Sequence, residues 1–160
     1  MSVVAILSKV SVNAAQVVGL GSEEAYFLQF GSTAQINLQG LLLAGILLGA
    51  LGVLDDICVA QIGIVFELKT LKKDIHLSEL YARALHVGRD HVASLVNTLI
   101  LAYAGANLPL FLLFTLNKQI PTWVTLNSEV ILEEVIRTLT GSIGLVLAVP
   151  ISTFIAALVV

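Results

Sequence analysis

Charged residues leave three long gaps in this chain, and the gaps predict its architecture. Residues 40–66 carry only Asp55 and Asp56, while 92–117 and 138–160 carry no charge at all. Each gap meets or exceeds the roughly 20 residues that a helix needs to cross the hydrocarbon core of a bilayer. The pattern predicts spans over 38–66, 92–116 and 137–160. Residues 3–20 form a weaker apolar segment, interrupted by Lys9, Asn13 and Gln16; it reads as a shortened or interfacial helix. Ser22 is placed to cap a short helix that opens with Glu23 and Glu24, where acids suit the helix dipole. Tyr26, Phe27, Leu28 and Phe30 give that helix an interfacial character, and Gly31–Ser32–Thr33 is expected to break it. Residues 67–91 are polar. Within them Ser78 is expected to cap a helix starting at Glu79, with Leu77, Leu80, Tyr81, Ala84 and Leu85 on one face. That helix reads as an amphipathic connector lying along the membrane or under the bundle.

Composition narrows the class. The chain is 58% hydrophobic and 12% charged, against about 25% charged in a typical soluble domain. An all-α membrane bundle, organised as one transmembrane domain over 1–160, is the class that fits. The net charge of −3 argues against a nucleic-acid partner. The single cysteine, Cys58, excludes a disulfide scaffold and reads as a small core residue. No secretory signal is visible, because the first residues lack a basic region. His76, His86 and His91 do not form a metal-binding spacing with the aspartates, no serine has a base in register, and GVLDD does not follow a strand as a phosphate loop would. We therefore expect no metal, no cofactor and no enzymatic activity.

Five of the eight basic residues, Lys69, Lys72, Lys73, Arg83 and Arg89, fall in 67–91. The positive-inside rule places that segment in the cytoplasm. Segments 20–37 and 117–136, with Glu23, Glu24, Glu129, Glu133 and Glu134, then face outward, and the C-terminus is cytoplasmic.

The Asp pair is the strongest candidate for chemistry. A carboxylate near the middle of a bilayer costs roughly 3 kcal/mol or more, so such residues face a partner, water or an ion path. Gly45, Gly49, Gly52, Asp56, Ala60 and Gly63 recur at steps of three and four and share one helix face. Small faces let helices approach closely in lipid, which predicts that Asp56 faces a tight helix contact. Asp55 is offset by about 100°. A second small face runs through Arg137, Gly141, Gly144 and Ala148 to Ser152, with a kink expected at Pro150. Asn97, Thr98 and Asn107 are the polar groups available to support the aspartates. Two readings follow. Either the pair is hydrogen-bonded to those groups and fixes packing, or it binds and releases a proton or cation. Arg89, Asp90 and His91 lie at the cytoplasmic mouth of the second span; His91 is a conceivable proton relay, and an interfacial anchor is the plainer reading. Arg137 near Glu133 and Glu134 reads as an ordinary ion pair within one helix.

The blocks GALGVLDDICVAQIGIVFEL, HVGRDHVASLVNTLILAYAGANLPLFLLF and RTLTGSIGLVLAVPISTFIAAL resemble the YibE/F family of bacterial multi-spanning membrane proteins. GSEEAYFLQF and LNSEVILEEVIRTL agree with it. The resemblance covers most of residues 20–160. It implies a bacterial cytoplasmic-membrane protein that corresponds to the C-terminal part of a larger or two-subunit assembly. A weaker resemblance links the order of features to half of a resistance–nodulation–division or SecD/SecF transmembrane core. An Asp pair on a glycine-rich span is followed there by a connector and a span ending in Leu-Pro-Leu. That similarity implies proton sites at Asp55 and Asp56. The expected function is thus a component of a proton- or cation-coupled transporter, working as a homo-oligomer or with a partner membrane subunit. The alternative is a non-transporting scaffold whose small-residue faces dock partner helices.

Overall fold

A computed structural model describes residues 1–31, 36–116 and 121–160. Ser32 and Thr33 of the expected break, and residues 117–120 of the second polar segment, lie outside the described residues. Among the described residues seven helices follow one another: α1 (Ser2–Ala14), α2 (Glu23–Gly31), α3 (Leu38–Leu71), α4 (Leu77–Ala106), α5 (Leu108–Leu116), α6 (Thr122–Leu126) and α7 (Glu129–Val159). No strand occurs among the described residues, so the all-α expectation holds.

Helix α3 starts where Asn37 caps it, its side-chain oxygen accepting from the Gly40 N–H at 3.0 Å, which satisfies one of the free donors of the first turn. It runs for 34 residues, about 50 Å at 1.5 Å per residue. That exceeds a hydrocarbon core of about 30 Å, and Asp55 and Asp56 stand at its midpoint. A short turn built around buried Ile75 returns the chain. Across this turn Glu79 takes Lys72 at 3.1 Å, and within α4 it takes Arg83, four residues on, at 2.8 Å.

The return helix departs from expectation. The connector and the second span are one helix, α4, which begins at Leu77 with His76 as its cap; Ser78 lies inside the first turn and makes no cap. The reason is a stripe that crosses the expected junction without interruption. Leu80, Ala84, Gly88 and Val92 recur every four residues and are all buried, and no proline separates them. The residues that looked amphipathic therefore pack upright against α3 and α7. The second span does break, but nearer its far end. Pro109 has no N–H to offer the preceding turn, and α4 and α5 meet at Asn107 with a bend of 56°.

Helices α3 and α7 run parallel, with α4 antiparallel to both, and α1 fills a groove between α3 and α7. The core has three levels. At the turn end Val65, Ile75, Leu80, Ala84, Ala156 and Ala157 pack together. At mid-height Val4, Leu54, Ile57, Val92, Leu145 and Val149 do so. At the far end Val12, Val17, Leu42, Ile46 and Ile136 close the bundle. Helix α1 is thus part of the bundle, with Val4, Ser8 and Val12 buried. Its 13 residues amount to about 20 Å, short of a crossing. Close approach to α7 is possible because Gly144 has no side chain; a Cβ there would stand 2.6 Å from Val4 Cγ2. The cap expected of Ser22 is formed, its oxygen accepting from the Ala25 N–H at 3.1 Å. Tyr26, Phe27 and Phe30 of α2 are exposed.

Candidate functional site

The buried ridge of α3 is Leu38, Leu42, Ile46, Ala50, Leu54, Ile57, Gln61 and Val65. Asp55 and Asp56 are not on it; both are exposed. Gly45, Gly49 and Gly52 are exposed as well, and so is Gly63. A Cβ on Gly45, Gly52 or Gly63 would meet nothing within 4 Å, and one on Gly49 would meet only the Tyr103 hydroxyl at 3.6 Å. Among the described residues the face that carries Asp56 is therefore without a close partner, contrary to the expected tight contact. The intrachain neighbours pack on the bulky ridge, which buries more apolar surface than glycines can.

The two aspartates diverge. Asp55 forms a polar edge of a mostly apolar cleft of about 330 Å³, lined by Val4 of α1, Leu51, Leu54 and Cys58 of α3, and Ala148 and Ser152 of α7. Asp56 is exposed and does not line this cleft. No hydrogen bond joins either aspartate to Asn97, Thr98 or Asn107 among the described residues. Thr98 donates to the Ser94 carbonyl at 2.9 Å, and Asn107 donates to the Tyr103 carbonyl at 3.0 Å. Asn97 is exposed and lines a different cavity, of about 640 Å³ between α4 and α7, together with Arg89 and Pro150. The supporting polar shell expected around the pair is thus not assembled among the described residues. Arg89, Asp90 and His91 are all exposed midway along α4, with no hydrogen bond or ion pair among themselves in the described residues.

Gly141 and Gly144 are buried. Gly141 faces Leu99 of α4, at 3.4 Å from a would-be Cβ. In α7 two hydroxyls within one turn beyond Pro150 bond back to carbonyls of the preceding turn, neither of them the Val146 carbonyl that faces the proline's missing N–H. Ser152 donates to the Ala148 carbonyl at 2.8 Å and Thr153 to the Val149 carbonyl at 2.6 Å.

Two polar groupings emerge that the pattern of small and acidic residues did not mark. Gln61 is fully buried; its amide donates to the Ala84 carbonyl of α4 at 2.8 Å, while its Oε1 has no partner among the described residues. Its place on the i, i+3, i+4 ridge of α3 was the signal available in the sequence. The second grouping sits at the far end. Glu129 Oε1 accepts from three consecutive backbone N–H groups, those of Val18 at 2.7 Å, Gly19 at 2.6 Å and Leu20 at 3.1 Å. Glu133 Oε1 accepts from Gly21 at 3.0 Å. Gly19 has φ 95°, a conformation that glycine adopts at little cost, and it curls the loop around the carboxylate. Glu134 and Arg137 form a loose pair at 3.7 Å.

These four charges all lie in the opening turns of α7. The apolar run from residue 138 onward is itself long enough to cross the bilayer, so the charged turns project beyond it. There burial holds the Glu133 carboxyl above its ordinary range; the Gly21 N–H works in the opposite direction, and Glu129 adds to the rise. At the opposite end of the bundle the Lys72 and Arg83 cations hold Glu79 below the usual carboxylate range. No group of three or more metal-ligating side chains occurs among the described residues.

Helices α3 and α7 are each long and apolar enough to cross a membrane, and α4 with α5 makes a third crossing when the bent pair counts as one. Large apolar side chains such as Leu48, Val59, Leu101, Phe154 and Leu158 cover the outer surface, where lipid rather than water suits them. The class is that of a helical membrane protein. Within it the chain belongs to the YibE/F-like protein family, whose model matches residues 1–160. The match includes the first residues, which the resemblance read from the sequence left out. No curated protein and no solved structure matches the chain. The similarity to a resistance–nodulation–division or SecD/SecF core therefore stays a likeness in the order of features.

Proposed function

We propose that the chain is a subunit of a proton- or cation-coupled membrane transporter, in which Asp55 and Asp56 work at a contact with a neighbouring subunit. The observation that carries this reading is the exposure of Asp56 at the midpoint of α3, among glycines that touch almost nothing in their own chain. A lone carboxylate facing lipid at that depth costs roughly 3 kcal/mol or more. A glycine face in lipid is a surface for close helix approach. A second copy of the chain, or a partner membrane subunit, seated on Gly45, Gly49 and Gly52 supplies the cover that the pair lacks. Rocking of that contact would tie the charge state of the pair to subunit geometry. No nucleophile–base pair accompanies the aspartates among the described residues, so the reading is of carriage and not of catalysis.

A scaffold subunit uses the same face, and two substitutions separate the readings. Assembly is measured by cross-linking in lipid vesicles, and the protonated-carboxyl infrared band is followed as pH is changed. In a transporter, Asp56→Asn removes a pH-responsive band and leaves assembly intact, whereas Gly52→Leu abolishes assembly. If Asp56→Asn dissociates the subunits as completely as Gly52→Leu, or if no band depends on either aspartate, the pair serves docking and the transport reading falls.

A further inference from the structure

Two clefts flank the outer face of α7 at one height, and each carries one charged side chain. Asp55 edges the first, against Gly144, Ala148 and Ser152 of α7. Arg89 of α4 lines the second, against Val146, Val149 and Pro150. Leu147 is the one residue that lines both, so the clefts lie to either side of it, about 10 Å apart, the diameter of one helix. Their shared height follows from the packing. Leu54, next to Asp55, joins Val92, Leu145 and Val149 in the mid-height layer of the core, and Gly88, next to Arg89, lies against Val149. Position 149 is also the midpoint of the uncharged run 138–160, so both charges stand near the middle of the bilayer crossing. Both side chains are exposed, and the three ion pairs among the described residues involve other groups. Between the clefts Ile143, Leu147, Ile151, Phe154 and Leu158 recur at steps of three and four and form an exposed apolar stripe.

We propose that this stripe seats a second copy of the chain about a two-fold axis through Leu147, so that Asp55 of each copy meets Arg89 of the other. Charge complementarity selects the occupant. Ionisable side chains at such depth are costly against lipid and settle by pairing with one another. Acyl chains carry no counter-charge, and the headgroups lie about 15 Å from the midplane. A second copy brings both missing charges at once. Two copies inserted alike are related by an axis along the bilayer normal, which keeps every residue at its own depth. An isologous contact of that kind joins residue i to j and j to i, and it sets the flank of Asp55 against the flank of Arg89. Equal depth and placement on opposite flanks of Leu147 are the two conditions for the pairs to form, and both are met. Asp56, Asp90 and His91 line neither cleft, which leaves Asp55 and Arg89 as the charged side chains presented here. The contact is separate from the one on the glycine face of α3 and does not rest on it.

Disulfide cross-linking of the full chain in lipid vesicles tests the contact. In a Cys58→Ala background, Leu147→Cys is expected to form a disulfide between copies, since a residue on the axis meets itself. Leu101→Cys, exposed on α4, is expected to form none. Asp55→Arg and Arg89→Asp, each alone, set like charges against each other twice per dimer. Each is expected to lower the Leu147→Cys disulfide yield by roughly tenfold or more, as breaking a close charge pair does. Mixed in one membrane, with a tag on one of them, the two variants regain both opposite-charge pairs between unlike copies, and the disulfide is expected to return in the mixed dimer alone. Absence of a mixed dimer from two variants of native helical content overturns the proposal. So does a Leu147→Cys yield no higher than that of Leu101→Cys, an arm that alters neither charge. Gly52 lines neither cleft, so the disulfide is expected to survive Gly52→Leu. A disulfide lost with Gly52→Leu assigns the association to the glycine face and overturns this contact. A missing Leu147→Cys disulfide beside glycine-face assembly that responds to Gly52→Leu also overturns it, and leaves the proposed function standing.

Discussion

Gly88 of α4 lies against the buried carboxamide of Gln61 on α3. A Cβ at position 88 would stand 2.5 Å from Gln61 Oε1 and 2.7 Å from Val149 Cγ1, so three helices meet where one residue has no side chain. Gln61 cannot swing aside freely, because its amide holds the Ala84 carbonyl, and Val149 is stiff at χ1. Gly88→Ala is expected to destabilise the bundle by about 1–3 kcal/mol through overpacking. Gly105→Ala, where a Cβ meets nothing within 4 Å, is expected to be tolerated. Apparent thermal midpoints of the two variants in the same detergent, at one scan rate, check the contrast.

Helix α1 depends on a similar absence. With Val4 Cγ2 only 2.6 Å from a would-be Cβ on Gly144, Gly144→Ala pushes the start of α1 off α7. Faster hydrogen exchange over residues 2–14 is the expected result. Pairing Gly144→Ala with Val4→Ala removes the clashing methyl and is expected to restore part of the protection, as coupled neighbours do. If the double variant exchanges as the sum of the single ones, the two residues do not bear on each other.

Much of this architecture was legible in the sequence, because gaps between charges mark apolar helices whatever their packing. The face that each helix buries was harder to read. Helix α3 is apolar on nearly all sides, so periodicity gives no inward direction, and the glycines drew attention to a face that the chain itself leaves uncovered. Gln61 was the better guide, since a lone polar residue on a ridge of Ile46, Leu54, Ile57 and Val65 needs a partner inside the protein. The α4 junction misled for a related reason. Leu77 to Leu85 is amphipathic taken alone, and only its continuation through Gly88 and Val92 shows that the stripe belongs to an upright helix. The grip of Glu129 on Val18, Gly19 and Leu20 joins residues about a hundred positions apart, and no local spacing announces it.

That grip predicts a graded response. Glu129→Ala leaves the Val18, Gly19 and Leu20 N–H groups without their common acceptor, and charge-assisted bonds of this kind contribute about 1.5–3 kcal/mol each when shielded. Val18 is exposed and can turn to water, so the two part-buried bonds, taken at the low end of that range, give an expected total loss of about 3 kcal/mol. Glu129→Gln keeps an acceptor oxygen and gives up the charge, which places it between the alanine variant and the native protein. Limited proteolysis within 15–22 reports the release directly, with the cleavage rate lowest for the native protein, higher for Glu129→Gln and highest for Glu129→Ala. Equal rates for all three would mean that the loop is held by its apolar contacts through Val17.

Glu133 gives the bundle a dependence on pH whose sign is fixed by burial. Its carboxyl is held above the ordinary value of 4.5, chiefly by desolvation. A group whose folded pKa is raised contributes its stability below 4.5 and loses it as pH rises through the folded value. Ionised Glu133 is therefore a cost to the folded state at higher pH. Glu79 works in the opposite sense, because its lowered pKa gives a contribution present above 4.5 and lost in more acid solution, so the two effects occupy different windows. Glu133→Gln removes the charge and keeps an oxygen for the Gly21 N–H. The variant is expected to have the higher thermal midpoint above the raised pKa and to show a flatter pH profile between 4.5 and that raised value, with the acid limb below 4.5 unchanged. A variant whose profile stays parallel to the native one at every pH would show that Glu133 is as well solvated in the fold as in the unfolded chain, and the cost assigned to its burial would be wrong.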